Sequence, residues 1–205
     1  YIIEAEKDAR LISGFQKNVN REKYMEHLNK GSLEEILNFE ETHPGDVFYM
    51  PSGRVHAIGS GILLAEIQQT SDVTYRIYDY NRKDDQGNTR ELHTEQAIDV
   101  IDFQHHDDYK TCYKSKINAT VNTVECPYFN TNLIHFDKQV EKDFNFIDSF
   151  VIYICVDGQV EISYRNNEKV RIEKGESILI PAEIKNLVLN PLKESKLLEV
   201  YTNPQ

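Results

Sequence analysis

The chain has 205 residues, 40% of them hydrophobic, and a formal net charge of −11 at pH 7. This length and apolar content can supply the core of one large or two small domains, and no apolar run approaches the roughly 20 residues that cross a bilayer. The acidic balance argues against a nucleic-acid partner, because binding to phosphate backbones needs clustered Lys and Arg. It does not exclude an anionic small substrate, which needs only one or two local cations. We therefore expect neither a nucleic-acid nor a membrane partner.

The three cysteines, Cys112, Cys126 and Cys155, have no spacing typical of a metal site. An odd number of cysteines cannot pair completely within one chain. Reduced thiols, and hence a cytoplasmic location, are the simplest interpretation.

The first forty residues predict two short strands followed by a helical insertion. Residues 1–4 and 9–15 have strand character. Asn20 is a helix N-cap and Gly31 ends that helix. Ser32 opens a capping box that predicts a second short helix. We expect the insertion, residues 20–40, to cover one open end of a β-structure.

The strands return at residues 45–51, and the turn Pro51-Ser-Gly53 delivers His56 to the next strand. Two further strands are predicted over residues 61–69 and 73–78. Their alternation gives each strand one apolar face and one polar face. Glu66 and Gln68 share one polar face with Ile62 and Leu64, and Arg76 lies on the polar face of the following strand. From the pattern alone, these polar faces either meet water or line a ligand cavity.

A helix is predicted from about Thr94 to Phe103, with Ala97, Ile98 and Ile101 on its buried side. The sequence His105-His106-Asp107-Asp108 could suggest a metal site. Adjacent strand residues point to opposite faces, however, so a solvated linker is the better interpretation. The boundary between two halves is expected near residues 104–117.

The second half predicts a compact β-structure with an internal repeat of the first. The predicted strands are residues 121–124, 129–136, 149–157, 160–164, 169–172, 177–180, 184–189 and 196–202. Gly175 to Pro181 repeats the spacing of Gly45 to Pro51 at an offset of 130 residues. At the same offset His56 corresponds to Asn186, so the second half keeps the pattern without the histidine.

The spacing Gly-x5-Pro-x-Gly-x2-His, from Gly45 to His56, resembles the second motif of the cupin superfamily. The chain as a whole is similar to the type I mannose-6-phosphate isomerases (phosphomannose isomerases) in their short bacterial form. The resemblance spans nearly all of the chain. Its specific part is Gly45 to Arg82, which contains His56-Ala-Ile, Leu64-Ala-Glu-Ile-Gln-Gln69, Ser71-Asp72 and Thr74 to Arg82. The segment Arg90-Glu-Leu-His93 adds to the resemblance.

The resemblance implies a mainly β fold with two cupin (jelly-roll) β-barrels and a small helical insertion in the first. Residues 1–104 would be the C-terminal part of the catalytic cupin, and residues 105–205 a second, metal-free cupin. The family's remaining zinc ligands, a Gln-x-His pair and a glutamate, precede the segment that matches Tyr1 to Glu4. The chain is therefore expected to lack an N-terminal part and to be incomplete for activity.

The activity implied by the resemblance is the zinc-dependent interconversion of mannose 6-phosphate and fructose 6-phosphate, with one Zn²⁺ per chain in the complete protein. The resemblance makes His56 a metal ligand and Arg76 an active-site residue. We expect Glu66 to lie near metal and substrate, and Gln68 and Asp72 to contact the phosphorylated hexose.

The reaction moves a proton between C1 and C2 through an enediol, so it needs polarised oxygens and a base. Zinc would stabilise the developing oxyanion as a Lewis acid, and Arg76 can hold negative charge through its planar fork of donors. The sequence does not identify the base, and Glu66 could instead be a buried partner of Arg76.

Two other classes of function remain open from the sequence. One is a different metal-dependent cupin enzyme, such as a dioxygenase or another sugar isomerase, because His56 alone does not specify a metal. The other is a non-catalytic cupin that binds a sugar or sugar phosphate.

Overall fold

The computed structural model describes residues 1–71, 73–79, 82–166 and 168–202. The chain forms two compact units, which we call the N-terminal unit (Ile2–Lys110) and the C-terminal unit (Thr111 onwards, with Tyr1). Both are built mainly from antiparallel strands, as predicted. Among the described residues, no helix has the length and apolarity needed to span a membrane.

The N-terminal unit has two small antiparallel sheets and two helices. One sheet has the strand order β3-β2-β4, and in the other β1 pairs with β5. Its core joins the three-stranded sheet to the helical insertion. Phe15 and Leu37 of that sheet pack beside Tyr24 and Leu33 of the insertion. The elements are β1 (Ile2–Ala5), β2 (Arg10–Phe15), α1 (Arg21–Lys30), β3 (Leu37–Glu41), β4 (His56–Ile58), β5 (Ile62–Leu64) and α2 (Thr94–Ala97).

The prediction for α1 is confirmed at both ends. The side chain of Asn20 accepts a hydrogen bond from the backbone N–H of Lys23 at 2.9 Å, which satisfies one of the unpaired N–H groups of the first turn. Gly31 follows the helix with a φ of 66°, a left-handed conformation that favours glycine.

The second short helix predicted after Gly31 is present but does not become an α-helix. Leu33–Glu35 forms only a single 3-10 turn, and the Ser32 side chain makes no capping hydrogen bond; its Oγ lies 3.0 Å from His27 Nδ1 instead. From Leu37 the chain is a strand that pairs with β2. The long-range pairing therefore overrides the local capping pattern, and the insertion ends before residue 40.

The strands predicted between residues 45 and 78 are largely absent. Residues 45–51 and 73–78 adopt no regular strand, and of residues 61–69 only Ile62–Leu64 is one. The alternation is right within β5, where Leu63 is exposed between two half-buried neighbours. β5 pairs with the four-residue β1, so the ladder is short.

The helix predicted from Thr94 begins there but ends at Ala97. Its buried side is as predicted, because Ala97 and Ile98 are buried and Ile101 packs against the core. The rest of the predicted helix, to Phe103, lacks regular helical structure.

Residues 105–108 are mostly exposed, as predicted for a solvated linker, but both histidines contact other residues of the N-terminal unit. His105 Nδ1 lies 2.9 Å from the carbonyl oxygen of Phe15, and His106 Nε2 lies 2.8 Å from Asp102 Oδ2. Tyr109 is buried and donates its hydroxyl to the same Phe15 carbonyl at 3.0 Å. This segment is thus anchored to the N-terminal unit through side chains, which a strand or linker pattern does not reveal.

The C-terminal unit consists of two antiparallel sheets with the strand orders β11-β10-β13-β8 and β12-β9-β14-β7-β6. Both sheets contribute to one core, in which Ile162 and Leu189 from the first meet Tyr153 and Leu197 from the second. The strands are β6 (Ala119–Glu125), β7 (Asn130–Phe136), β8 (Val140–Asp143), β9 (Val151–Asp157), β10 (Gln159–Tyr164), β11 (Glu168–Glu173), β12 (Ser177–Ile180), β13 (Asn186–Pro191) and β14 (Ser195–Tyr201).

Every strand predicted for the second half is present in the C-terminal unit, and β8 is an additional one. The sequence of β8, Val-Glu-Lys-Asp, has only one apolar residue. Its pairing with β13 gives it strand structure, so no hydrophobic alternation could have predicted it.

The internal repeat extends to backbone hydrogen bonds. In the N-terminal unit, Gly45 N–H donates to the Ile2 carbonyl at 2.8 Å, and Ile2 N–H donates to the Asp46 carbonyl at 2.8 Å. In the C-terminal unit, Gly175 and Glu176 make the same exchange with Cys155, at 2.9 Å for both bonds. The φ values of Gly45 and Gly175 are 94° and 93°. The repeat therefore begins with the same left-handed glycine in both units.

The turn after each repeat is also shared. Arg54 N–H donates to the Pro51 carbonyl at 3.1 Å, and Ile184 N–H donates to the Pro181 carbonyl at 3.0 Å. His56 begins β4 and Asn186 begins β13. The repeat therefore delivers these two residues to corresponding positions.

A buried ion pair connects the two sheets of the C-terminal unit. Glu199 on β14 is 3% exposed, and its Oε2 lies 2.7 Å from Lys142 Nζ on β8. The Tyr153 hydroxyl donates to the same carboxylate at 2.8 Å, and Asn132 Nδ2 donates at 3.2 Å. Burial, with the adjacent charge of Glu199, raises the pKa of Tyr153 far above its usual value, so this hydroxyl remains a donor.

We expect Glu199→Leu or Lys142→Met alone to lower the free energy of unfolding by about 3–5 kcal/mol, because each leaves an uncompensated buried charge. The double variant should lose less than either single variant. Its residual cost, about 1–3 kcal/mol, comes from the Tyr153 and Asn132 donors that lose their acceptor.

Chemical denaturation of the four proteins measures this cycle. Lys30→Met is the matched control, because Lys30 forms an exposed ion pair with Glu26 and should leave stability unchanged. Additive costs in the double variant would contradict the assignment of the penalty to an unpaired charge.

Candidate functional site

His56 has an exposed side chain whose orientation is fixed by its own backbone. Its Nδ1 lies 2.9 Å from the carbonyl oxygen of Arg54. A carbonyl can only accept, so Nδ1 carries the proton and Nε2 keeps its lone pair. This second hydrogen bond is typical of histidines that ligate a metal through the other ring nitrogen. The geometry around His56 is therefore suited to a ligand role.

The turn before His56 requires glycine at position 53. Gly53 has a φ of 86°, and a Cβ there would collide with the carbonyl oxygen of Val100. The Gly53 carbonyl also accepts a hydrogen bond from Asp102 N–H at 3.0 Å. The chain after α2 thus packs directly on the turn that positions His56.

Arg76 is half-buried and held by backbone atoms. Its Nη1 donates to the Glu91 carbonyl at 3.3 Å. Its backbone N–H donates to His93 Nδ1 at 3.1 Å, and His93 N–H donates back to the Arg76 carbonyl at 2.7 Å. The group that accepts from the guanidinium is a neutral carbonyl. The positive charge of Arg76 is therefore not offset by this contact and can act on an anionic ligand.

The structure does not bring Glu66 to Arg76. Glu66 and Gln68 are exposed in the irregular segment after β5, and within the described ranges no ion pair joins Glu66 to Arg76. The interpretation of Glu66 as a buried partner of Arg76 is therefore wrong. Asp72 lies outside the described residues.

Among the described residues, His56 is not part of a complete metal site. In the described part of the chain, no three His, Cys, Asp or Glu residues are close enough to hold a metal ion. Zinc sites use three or four protein ligands. The described residues thus fit a zinc ion through His56 alone and do not form a complete site.

Two buried polar atoms near these residues were missed by sequence reasoning. Arg54 Nε and Asp79 Oδ2 have no hydrogen-bond partner, although Arg90 Nε lies 3.8 Å from Asp79 Oδ2. Buried polar atoms are usually paired, so unpaired ones indicate strain or a binding role. Both residues lie inside the segments that carry the family resemblance, which is the signal that could have identified them.

Arg54 also influences a nearby carboxylate. Its guanidinium carbon lies 5.0 Å from the centre of the Tyr109 ring. Burial opposes ionisation of Asp102, but hydrogen bonds from His106 and the Gln104 N–H, together with the charges of His106 and Arg54, hold the pKa of Asp102 below its usual value. The Asp102 carboxylate is thereby stabilised as an anion, while the backbone N–H of the same residue bonds to the Gly53 turn.

The known proteins to which this chain is similar are described as members of one family. A family model described as "Mannose-6-phosphate isomerase, cupin domain" matches residues 119–192. The chain is 32% identical to a mannose-6-phosphate isomerase of Streptococcus mutans over 188 residues, 91% of this chain and 58% of that protein. It is 43% identical to the Bacillus subtilis isomerase ManA over 132 residues, 63% of this chain and 42% of that protein.

The fold agrees with these sequence matches. The crystal structure of a Bacillus subtilis mannose 6-phosphate isomerase superposes with a TM-score of 0.84 and 28% identity, covering 98% of this chain and 63% of that one. The chain has the cupin fold. It spans about half the length of the curated relatives it matches.

We expect Gly53→Ala to lower the free energy of unfolding by about 2 kcal/mol more than Gly31→Ala. Both glycines have a positive φ, so both substitutions carry the cost of a left-handed residue, about 1–2 kcal/mol. Only Gly53 also faces a backbone atom, whereas a Cβ at Gly31 meets nothing within 4 Å; overpacking adds about 1–3 kcal/mol.

Thermal and chemical unfolding of the two variants test this difference. Equal losses of stability would mean that the contact with Val100 relaxes at no cost.

Proposed function

Because this chain belongs to the cupin-type mannose-6-phosphate isomerases, we propose that it is part of an enzyme that interconverts mannose 6-phosphate and fructose 6-phosphate through an enediol. Residues 1–104 would form the C-terminal part of a catalytic cupin barrel, and residues 105–205 a second, metal-free barrel. The observation that carries the proposal is the combination of similarity over nearly the whole chain with a histidine whose Nε2 is free. The non-catalytic sugar-binding alternative is less favoured, because the similar proteins are described as isomerases.

The residues of this chain would act on the phosphorylated hexose as charged and hydrogen-bonding groups. Arg76 would hold negative charge, either on the enediolate or on the phosphate, through the donors that Glu91 leaves free. Glu66 would lie close to the reacting carbons, and Gln68 and Asp72 would contact sugar hydroxyls. Because Glu66 and Gln68 are exposed, both can reach a bound substrate.

His56 would supply one metal ligand through Nε2, with the Arg54 carbonyl fixing the ring. Zinc, one ion per complete protein, would supply Lewis-acid polarisation of a substrate oxygen when bound. Among the described residues, no three His, Cys, Asp or Glu side chains cluster to hold a metal ion, so the rest of the ligand set would come from the longer protein. No proton-transfer step can be assigned to the residues of this chain alone.

We expect the 205-residue chain alone to bind zinc weakly and to show no isomerase activity, because one imidazole does not make a zinc site. Zinc content after dialysis and a coupled assay for fructose 6-phosphate measure both properties. The Bacillus subtilis ManA protein, purified in parallel, is the positive control.

One outcome would contradict the assignment of the ligands. If the chain retained stoichiometric zinc and its isomerase activity disappeared on chelation, the ligand set would lie within these 205 residues.

We expect Arg76→Ala in the complete enzyme to lower kcat much more than it raises KM, if Arg76 stabilises charge that grows in the transition state. Loss of a preorganised charge-stabilising donor commonly lowers kcat by roughly 100- to 1000-fold. Arg76→Lys should recover little, because lysine keeps the charge and loses the planar fork.

Steady-state kinetics of both variants, with zinc content and folding checked, measure these effects. Arg21→Ala is the matched control, since Arg21 forms an exposed ion pair with Asp99 on the surface. A raised KM with kcat retained would assign Arg76 to the substrate phosphate, and unchanged kinetics would make Arg76 a structural residue.

A further inference from the structure

The C-terminal unit has a cavity of about 280 Å³ at one end of its four-stranded sheet. The cavity lies where β8 and β10 end and β13 begins. Its polar lining includes Glu141, Lys142, Ser163, Arg165 and Asn186. Ligand sites in β-structures commonly lie at such open ends, and this volume is near the lower end of the usual range, about 300–1,000 Å³. A ligand the size of a monosaccharide would fill it.

The inner wall of the cavity is rigid and electrically balanced. Lys142 lines the cavity, and its Nζ lies 2.7 Å from the carboxylate of the buried Glu199. This pair fixes the lysine side chain and neutralises its charge. The wall therefore does not form a site for a strongly anionic group.

The outer part of the lining includes three polar side chains without a hydrogen-bond partner among the described residues, beside Ser163, whose Oγ accepts from Asn190 Nδ2 at 3.1 Å. Glu141, Val188 and Ser163 are adjacent in register on three neighbouring strands, so they share one face of the sheet. Across the described ranges, the side chains of Glu141, Arg165 and Asn186 make no hydrogen bond or ion pair. They present a carboxylate acceptor, a guanidinium donor and an amide that both donates and accepts.

This mixture of groups matches hydroxyl groups better than a charged ligand. A hydroxyl both donates and accepts, so it can pair with all three side chains at once. Glu141 and Arg165 carry charges of opposite sign. A phosphate bound in the cavity would be attracted by Arg165 but repelled by the Glu141 carboxylate. The chemistry therefore favours a neutral polyhydroxylated ligand.

The internal repeat gives the cavity its place in the fold. Asn186 lies 130 residues after His56, and each begins a strand after the same proline turn. The position that carries the candidate metal ligand in the N-terminal unit thus carries a hydrogen-bonding amide in the C-terminal unit. An amide is not a usual zinc ligand.

We propose that this cavity is a metal-independent site for a small neutral polyol, such as a monosaccharide, bound through Glu141, Arg165 and Asn186. The site is distinct from the one proposed around His56. It requires neither zinc nor isomerase activity, so it stands or falls separately from the proposed function.

The test is an NMR titration of the ¹⁵N-labelled chain with D-mannose in the presence of EDTA. We expect saturable shifts of the Ser163 and Val188 amides with a Kd of about 1–10 mM, as suits a ligand with few heavy atoms. Glu141→Gln combined with Asn186→Ala should raise the Kd at least about tenfold, because two hydrogen bonds are weakened or lost.

Two controls accompany this titration. Glu125→Gln alters an exposed carboxylate on the edge strand β6 and should leave the Kd unchanged. Inorganic phosphate, titrated alone, should not reproduce the shifts. Each single variant is measured as well, so that a misfolded double variant does not decide the outcome.

Three results would overturn the proposal. The first is the absence of saturable shifts at Ser163 and Val188 in the unmodified chain. The second is an unchanged Kd in the folded Glu141 and Asn186 variants. The third is the same shifts with phosphate alone, which would make the cavity an anion site.

Discussion

The exchange of backbone hydrogen bonds between Gly45-Asp46 and Ile2 is the constraint on which the candidate site depends. It holds the chain at a left-handed glycine and sends it towards the Pro51 turn. That turn needs Gly53 for its positive φ and for the close approach of Val100. After this turn, His56 begins β4, and its Nδ1 lies within hydrogen-bond distance of the Arg54 carbonyl oxygen. The orientation of the His56 ring is thus set by a series of backbone contacts, the last of them with the Arg54 carbonyl.

The same backbone frame occurs in both units, with different energetic support. In the C-terminal unit it is backed by two full sheets with a shared core and by the buried Lys142–Glu199 pair. If either charge of this pair were absent, the other would be buried without a partner. The pair therefore favours the arrangement in which β8 of one sheet meets β14 of the other. In the N-terminal unit the corresponding strands are short, and irregular segments carry Glu66, Gln68 and Arg76. Irregular backbone can place polar groups at angles that a regular ladder does not allow.

The C-terminal strands could be predicted because their sequence alternates, although several of their partners, such as β7 for β14, are distant in the sequence. β8 could not, since its polar sequence becomes a strand only through β13. In the N-terminal unit, Ser32 satisfies the pattern of a capping box, yet pairing of Leu37–Glu41 with β2 decides the structure. Local patterns there compete with contacts distant in sequence, and the distant contacts prevail.

The candidate site was predictable in its residue types and not in its contacts. The spacing around Gly53 identified His56, but the bond to the Arg54 carbonyl depends on how the backbone returns after the turn. Likewise, the sequence left Glu66 as a possible partner of Arg76, whereas the Arg76 guanidinium donates to a carbonyl fifteen residues later in the chain. The repeat shows the same separation of backbone and side chain. The backbone before Asn186 matches the backbone before His56, but the side chain at this position differs. The repeat therefore fixes one backbone position in each unit, and the side chain there, an imidazole at His56 and an amide at Asn186, determines which groups that position can bind.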